Sequence, residues 1–491
     1  FRDVLRGEWN FGGFVVSDLE SIDGLAGSHR IAADKQEAGE IALKAGVDVD
    51  LGANCYSLLA ESVRSGRVSE KVLDDAVRNV LLYKFRFGLF DHPYIDEETA
   101  AAKVRTPEHV ELARQVAREG IVLLENDGIL PLRKGVKVAV IGPNADNMYN
   151  QLGDYTAPQE RDNVVTMLDG IRAKAGDANV LYAKGCAVRD VASADIPAAV
   201  RAARAADVAV VVVGGSSARD FKTKYIDTGA AVVDSHSVSD MESGEGFDRA
   251  TLTLMGRQQD LLEAVRAVGK PMVVVYVEGR PLDKRWAKEH ADALLTMWYP
   301  GQQGGNALAD VLFGDYNPAG RLPVSVPREV GQLPVYYNKK FPAGHDYVEM
   351  PSAPLYPFGY GLSYTTFRYD NLNVTAADGS VVSVGGKSMN DELVRVSVDV
   401  TNAGERDGDE VVQLYLTDLQ ASVARPQKQL RAFRRVHVTA GATGKVQFVL
   451  HVSDFSLYDI DMKQVVEPGD FRIAVGASSA DVRAEAVVRV E

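Results

Sequence analysis

At 491 residues the chain is too long for one ordinary domain, and about three are expected. Its 46% hydrophobic and 8% aromatic content can fill packed cores and excludes a disordered polymer. With 54 basic against 68 acidic residues the net charge is -14, which argues against nucleic acid as a partner, because Lys and Arg neutralising phosphates supply most of that affinity.

The first hundred residues read as strand, helix, strand, helix. Gly12-Gly13-Phe14-Val15-Val16-Ser17-Asp18 is a short apolar run with a polar end, the pattern of a parallel strand buried on both faces. Residues 37–45 carry apolar side chains at helical spacing and stop at Gly46. Val47-Asp48-Val49-Asp50-Leu51 is a second short strand, and residues 56–87 follow with helical spacing. This βαβα order, with carboxylates at the strand ends, predicts the C-terminal part of a (β/α)8 barrel over 1–102. Two strand–helix units cannot close eight. Roughly six more are therefore expected upstream, in an omitted part or a companion chain.

Residues 103–368 read as an α/β sandwich domain. Strands are predicted at 137–141, 207–213 and 272–277, and helices at 196–206 and 252–268. From about residue 390 the apolar period changes to two, as in Val394, Val396, Val398 and Val400. Further strands at 411–416 and 445–452 make 369–491 a β-sandwich, with 371–387 as its connection. That sandwich has no evident row of aromatic residues for glycan binding, so a packing role is expected. No apolar run reaches the ~18 residues of a membrane-spanning helix, so no membrane insertion is expected.

Two carboxylates stand out chemically. Asp18 follows three apolar residues and a serine, which places it at a barrel mouth, where a carboxylate can attack an anomeric carbon; capping a helix is an equal alternative. A retaining glycosidase needs a second carboxyl at about 5–5.5 Å to protonate the leaving oxygen. Glu245 is the candidate, in Met241-Glu242-Ser243-Gly244-Glu245-Gly246-Phe247-Asp248-Arg249, because flanking glycines permit a tight loop. The alternative is a solvated loop acid. Asp248 and Arg249 read as a local ion pair, and Asp23, Asp48 and Asp50 as caps or supporting groups. Cys55 and Cys186 read as packing residues, and no metal or cofactor motif is found.

These segments resemble family 3 glycoside hydrolases. Gly13-Phe14-Val15-Val16-Ser17-Asp18 is similar to the family's nucleophile strand, Gly46-Val47-Asp48-Val49-Asp50-Leu51 to the next strand, and Ser243-Gly244-Glu245-Gly246-Phe247-Asp248-Arg249 to its acid/base loop. Trp298-Tyr299-Pro300-Gly301-Gln302, Asn317-Pro318-Ala319-Gly320-Arg321-Leu322-Pro323 and Tyr356-Pro357-Phe358-Gly359-Tyr360-Gly361-Leu362-Ser363-Tyr364 resemble later segments, and the terminal sandwich a fibronectin type III-like module. The resemblance implies a retaining exo-β-glycosidase without cofactor, with Asp18 as nucleophile, Glu245 as acid/base, and Leu19 and Trp298 as substrate-binding residues. Many β-glucosidases of the family carry Trp after the nucleophile, so Leu19 leaves glucose and xylose preference open. The family's other sugar-binding groups, an Asp, an Arg and a Lys-His pair, are expected upstream. The implied partner is an oligosaccharide or glycoside in a periplasmic or secreted setting, and a homodimer is left open. A reading from another class is an inactive fragment or the complementing half of a split enzyme.

Overall fold

The computed structural model describes residues 1–219, 239–342, 344–377 and 382–491. They fall into two compact units, the first ending at Thr106 and the second beginning at Pro107. Among the described residues no helix is long and apolar enough to cross a membrane.

In the first unit the two predicted strands meet in a single parallel bridge, Val16 to Val49. Asp48 N donates to Val15 O at 2.8 Å and Ser17 N to Val49 O at 3.0 Å, so the register is parallel. Burial on both faces is not observed: Val16 is 44% exposed, because burying a parallel strand takes cover on each face, and this run has one strand neighbour among the described residues of the unit. Helix α1 (Lys35–Ala45) starts where Asp34 accepts from Glu37 N and ends at Gly46, as predicted. The long helical stretch after residue 56 is instead a 3-10 turn, then α2 (Leu59–Arg64) and α3 (Glu70–Arg86). Gly66 between them adopts φ +76, which no helical residue does, and so divides the stretch. Helix α4 (Glu97–Lys103) follows. Both cysteines are buried and free.

The second unit opens with α5 (Pro107–Gly120) and β1 (Val122–Asn126). The chain then alternates: β2 (Val138–Ile141), α6 (Met167–Ala175), β3 (Val180–Ala183), α7 (Ile196–Ala205), β4 (Val208–Gly214), α8 (Gln258–Arg266), β5 (Met272–Val277), α9 (Arg285–His290), β6 (Ala293–Thr296) and α10 (Gly304–Leu312). The sheet order is β1-β6-β5-β4-β2-β3, with β1 antiparallel at one edge and the other five strands parallel. Alternate residues feed opposite cores. Val211, Val213 and Val274 face α7 and α8, while Val210, Val212 and Val275 face α6 and α10. Because α6 and α7 lie on opposite faces, β2 and β4 form the point where the winding reverses. In open α/β sheets, the crevice beyond the carboxyl ends of such strands is where ligands bind. Helix α8 begins six residues later than predicted, since Arg249 engages the carbonyls of Thr251 and Thr253 and keeps that segment irregular.

Among the described residues nine strands follow: β7 (Phe367–Ala376), β8 (Glu392–Asn402), β9 (Gly408–Asp418), β10 (Gln429–Val438), β11 (Thr443–His451), β12 (Leu457–Tyr458), β13 (Gln464–Val465), β14 (Gly469–Gly476) and β15 (Val482–Val490). Sheets β10-β9-β14-β15 and β11-β8-β7 enclose one core, in which Val394, Val396, Val398 and Val400 are buried with Leu414, Phe471 and Ile473. The expected connection at 371–387 supplies part of β7, because its residues alternate toward that core despite a register shift between Asp370 and Asn373. Residues 378–381 of that segment lie outside the described residues. Arg321 reaches across to Glu410 of β9 at 3.1 Å, with side chains 9% and 5% exposed. Removing one member of such a pair leaves a buried charge. Arg321→Met is expected to cost about 3–5 kcal/mol in denaturant unfolding, and adding Glu410→Gln should restore part of the loss.

Candidate functional site

Asp18 belongs to the first unit and Glu245 to the second. Asp18 lies just past the Val16–Val49 bridge and is exposed. It caps no helix: its Oδ1 accepts from the next residue, Leu19 N, at 2.8 Å, and its carbonyl accepts from Ser21. The neighbouring carboxylates have structural duties. Asp48 is paired with Arg6 at 2.5 Å and accepts from Val15 N and Asn79, tying the two strand segments to α3. Asp50 accepts from Tyr56 N, and Asp23 pairs with Lys35. Leu19 is 39% exposed beside Gly52.

Glu245 occupies a two-residue turn closed by hydrogen bonds between Gly244 and Phe247. Gly246 adopts φ +87, the conformation that the third residue of a type II turn requires. A Cβ at Gly244 would lie 2.3 Å from Met241 Cε, the movable end of that side chain, and in tight contact with Phe247. The turn is anchored from both sides by a buried pair, Arg249 to Glu242 at 2.5 Å, with side chains 2% and 3% exposed. Burial pushes the Glu242 carboxyl above its ordinary range, and Arg249 opposes that shift. Glu242 is thus a fastening for the loop. The expected Asp248–Arg249 ion pair is not formed, because the two side chains diverge. Asp248 pairs with Arg280 at 2.6 Å, which holds its carboxyl below the usual range.

Around Glu245 the second unit gathers groups from the loops that leave β2 and β4, the strands at the winding reversal. The Tyr155 hydroxyl donates to Glu245 Oε2, and Arg219 Nη2 lies 3.7 Å from the same oxygen. Asp154 Oδ1 accepts from Arg219 Nε at 2.9 Å and from Tyr155 N at 2.7 Å. The Arg219 guanidinium also lies over the Tyr155 ring, 4.8 Å from its centroid. Beside the turn is an open depression walled by Asp154, Ser217, Ser243, Phe247, Asp248 and Arg280. Glu245 keeps 35% of its side chain exposed; its neighbours Gly244 and Phe247, and not Glu245 itself, line that depression.

The sequence reading singled out Glu245 and passed over Asp154, Tyr155, Arg219 and Arg280, which the structure places around it or beside its turn. The available signal was position: each follows the carboxyl end of a parallel strand. Trp298 follows β6 with φ +53, is half-buried, and packs on the core that also holds α7 and α8; its carbonyl accepts from Glu278 N. It does not line the depression beside Glu245.

Three family models match the chain. The glycosyl hydrolase family 3 N terminal domain matches residues 1–82, the glycosyl hydrolase family 3 C-terminal domain residues 121–364, and the fibronectin type III-like domain residues 410–479. The chain is 38% identical to the periplasmic beta-glucosidase of Salmonella typhimurium, over 98% of this chain and 64% of that protein. It is also 38% identical to a beta-xylosidase of Formosa agariphila, over 97% and 64%. The beta-glucosidase of Listeria innocua, solved in complex with glucose, superposes with a TM-score of 0.85 at 32% identity, covering 100% of this chain and 64% of that one. The chain therefore spans under two thirds of the length of these relatives.

The two ion pairs flanking the turn should differ in weight. Arg249→Met strands a buried carboxylate and is expected to cost about 3–5 kcal/mol. Arg280→Met frees an exposed Asp248 and is expected to cost at most about 1 kcal/mol. Guanidinium unfolding of the two variants checks the order.

Proposed function

The chain belongs to glycoside hydrolase family 3, and on that premise we propose that it carries both catalytic carboxylates of a retaining exo-β-glycosidase that releases terminal glucose from β-glucosides. The observation behind this reading is a contrast. Asp18 is exposed and Glu245 keeps 35% of its side chain exposed, whereas their neighbours Asp48 and Glu242, 5% and 3% exposed, are consumed in ion pairs.

In the first step an Asp18 oxygen bonds to the anomeric carbon as the glycosidic C–O bond breaks. Glu245 gives its proton to the departing oxygen. In the second step water bonds to the same carbon and gives a proton to Glu245. The electron pair of the glycosyl–enzyme bond returns to Asp18, and the configuration is retained. The division of the chain at 102 and 368 belongs to the same proposal, as does a periplasmic or secreted location, which the name of the Salmonella relative supports. Leu19 and Trp298 stand as proposed sugar contacts. A β-xylosidase or mixed specificity is the second reading, favoured by the Formosa relative and by Leu19 after the nucleophile.

In the full-length protein, Asp18→Gly should abolish turnover of 4-nitrophenyl β-glucoside; unchanged turnover would remove Asp18 from the mechanism. Glu245→Ala should slow hydrolysis of an unactivated glucoside by about 10²–10⁴-fold. Added azide should then yield β-glucosyl azide, identified by NMR. Comparing kcat/KM for 4-nitrophenyl β-glucoside and β-xyloside decides between the two specificities.

A further inference from the structure

The two oxygens of Glu245 have different surroundings. Oε2 receives the Tyr155 hydroxyl and faces Arg219, whereas Oε1 has no partner among the described residues. The groups on Oε2 are themselves fixed, since Asp154 binds both the Arg219 guanidinium and the Tyr155 backbone N–H. Tyr155 has φ +58, a conformation that residues other than glycine adopt rarely and that persists where the surroundings enforce it. Its ring is 69% exposed, so the strained conformation does not serve to bury the ring. What the conformation achieves is the hydroxyl's approach to Glu245. The hydrogen bond to that carboxylate raises the phenol above its ordinary range, so Tyr155 remains the donor.

We propose that Tyr155 and Arg219 hold Glu245 by Oε2, so that Oε1 is the oxygen that gives a proton to the leaving group and takes one from water. This rests on the reading of Glu245 as acid/base and adds to it a division of labour between its oxygens. Tyr155 is a positioning residue: it fixes the rotation of the carboxyl and touches no reacting atom. The phenol donates to Oε2, and the Arg219 guanidinium sets a positive charge 3.7 Å from the same oxygen. Asp154 offsets the Arg219 charge, leaving the Glu245 oxygen at the longer distance, 3.7 Å against 2.9 Å.

The clamp should matter in proportion to the need for proton transfer. A methyl β-glucoside needs a full proton at the leaving oxygen, and a 2,4-dinitrophenyl β-glucoside needs almost none. Tyr155→Phe keeps the ring under Arg219 and removes only the donor. Its kcat/KM should fall about tenfold or more for the methyl glycoside, and by a much smaller factor for the dinitrophenyl glycoside, at an unchanged melting temperature. Placed on Glu245→Ala, the same substitution should cause no further loss, because Tyr155 acts through Glu245. Arg219→Lys, which keeps the charge, should recover part of the leaving-group dependence that Arg219→Met disturbs. Equal losses on both glycosides, no loss on either, or an additive loss on Glu245→Ala would overturn the clamp. If Glu245→Ala itself shows no leaving-group dependence, the acid/base reading fails, and that outcome is separable from failure of the clamp.

Discussion

The buried pair between Glu242 and Arg249 governs the loop around Glu245. Both charges are out of water at 2.5 Å, so neither can leave without stranding the other. Glu242 also donates its backbone N–H to Ser216 O, and Arg249 extends to the carbonyls of Thr251 and Thr253. The pair therefore staples the segment after β4 to the segment before α8. Between those two anchors only the tip of the turn is free to project. That is why a polar, glycine-rich stretch can present one carboxylate at a defined place.

The parallel sheet supplies the ground under this staple. Its strands are apolar on both faces, so two cores form and the helices divide between them. The division makes β2 and β4 the strands whose outgoing loops part company. The Tyr155 and Asp154 loop leaves one of them, and the Arg219 and Glu245 loops leave the other. A second buried pair, Lys284 to Glu278, acts on the neighbouring loop after β5. Both side chains are fully enclosed, and Glu278 further accepts from Thr296 and Leu282 N. Burial lowers the Lys284 ammonium from its ordinary range while the Glu278 charge opposes that shift. The short segment between these residues carries Arg280, which grips Asp248 next to the turn. The β-sandwich contributes through Arg321 and Glu410, and through Gln413, which donates to Gly359 O in the glycine-rich segment before β7.

Local order was legible in the sequence wherever one periodicity persisted. The strand at 272–277 and the helix ending at Gly46 agree with the observed elements, because burial and a chain stop decide them locally. Agreement failed where a distant or special group intervened. Gly66 divided a helix, Arg249 delayed another, and the core-facing alternation of 367–376 drew part of an expected connection into a strand. Asp248 and Arg249 are adjacent in the chain, yet one pairs outward with Arg280 and the other inward with Glu242. Neighbours in sequence point to opposite sides of an extended segment, so adjacency is poor evidence of pairing.

By itself the sequence determined the α/β and β-sandwich architecture, the resemblance to its family, and Asp18 and Glu245 as the carboxylates of interest. These follow from apolar period, from glycine placement and from contiguous motifs, all of which are local. Tertiary structure alone decided that Asp18 caps no helix, that Glu242 is a fastening, and that Asp154, Tyr155 and Arg219 surround Glu245. Tyr155 lies ninety residues from Glu245 along the chain, and only the reversal of winding between β2 and β4 brings their loops together. No local pattern encodes such a meeting, because it depends on which faces of one sheet the helices cover.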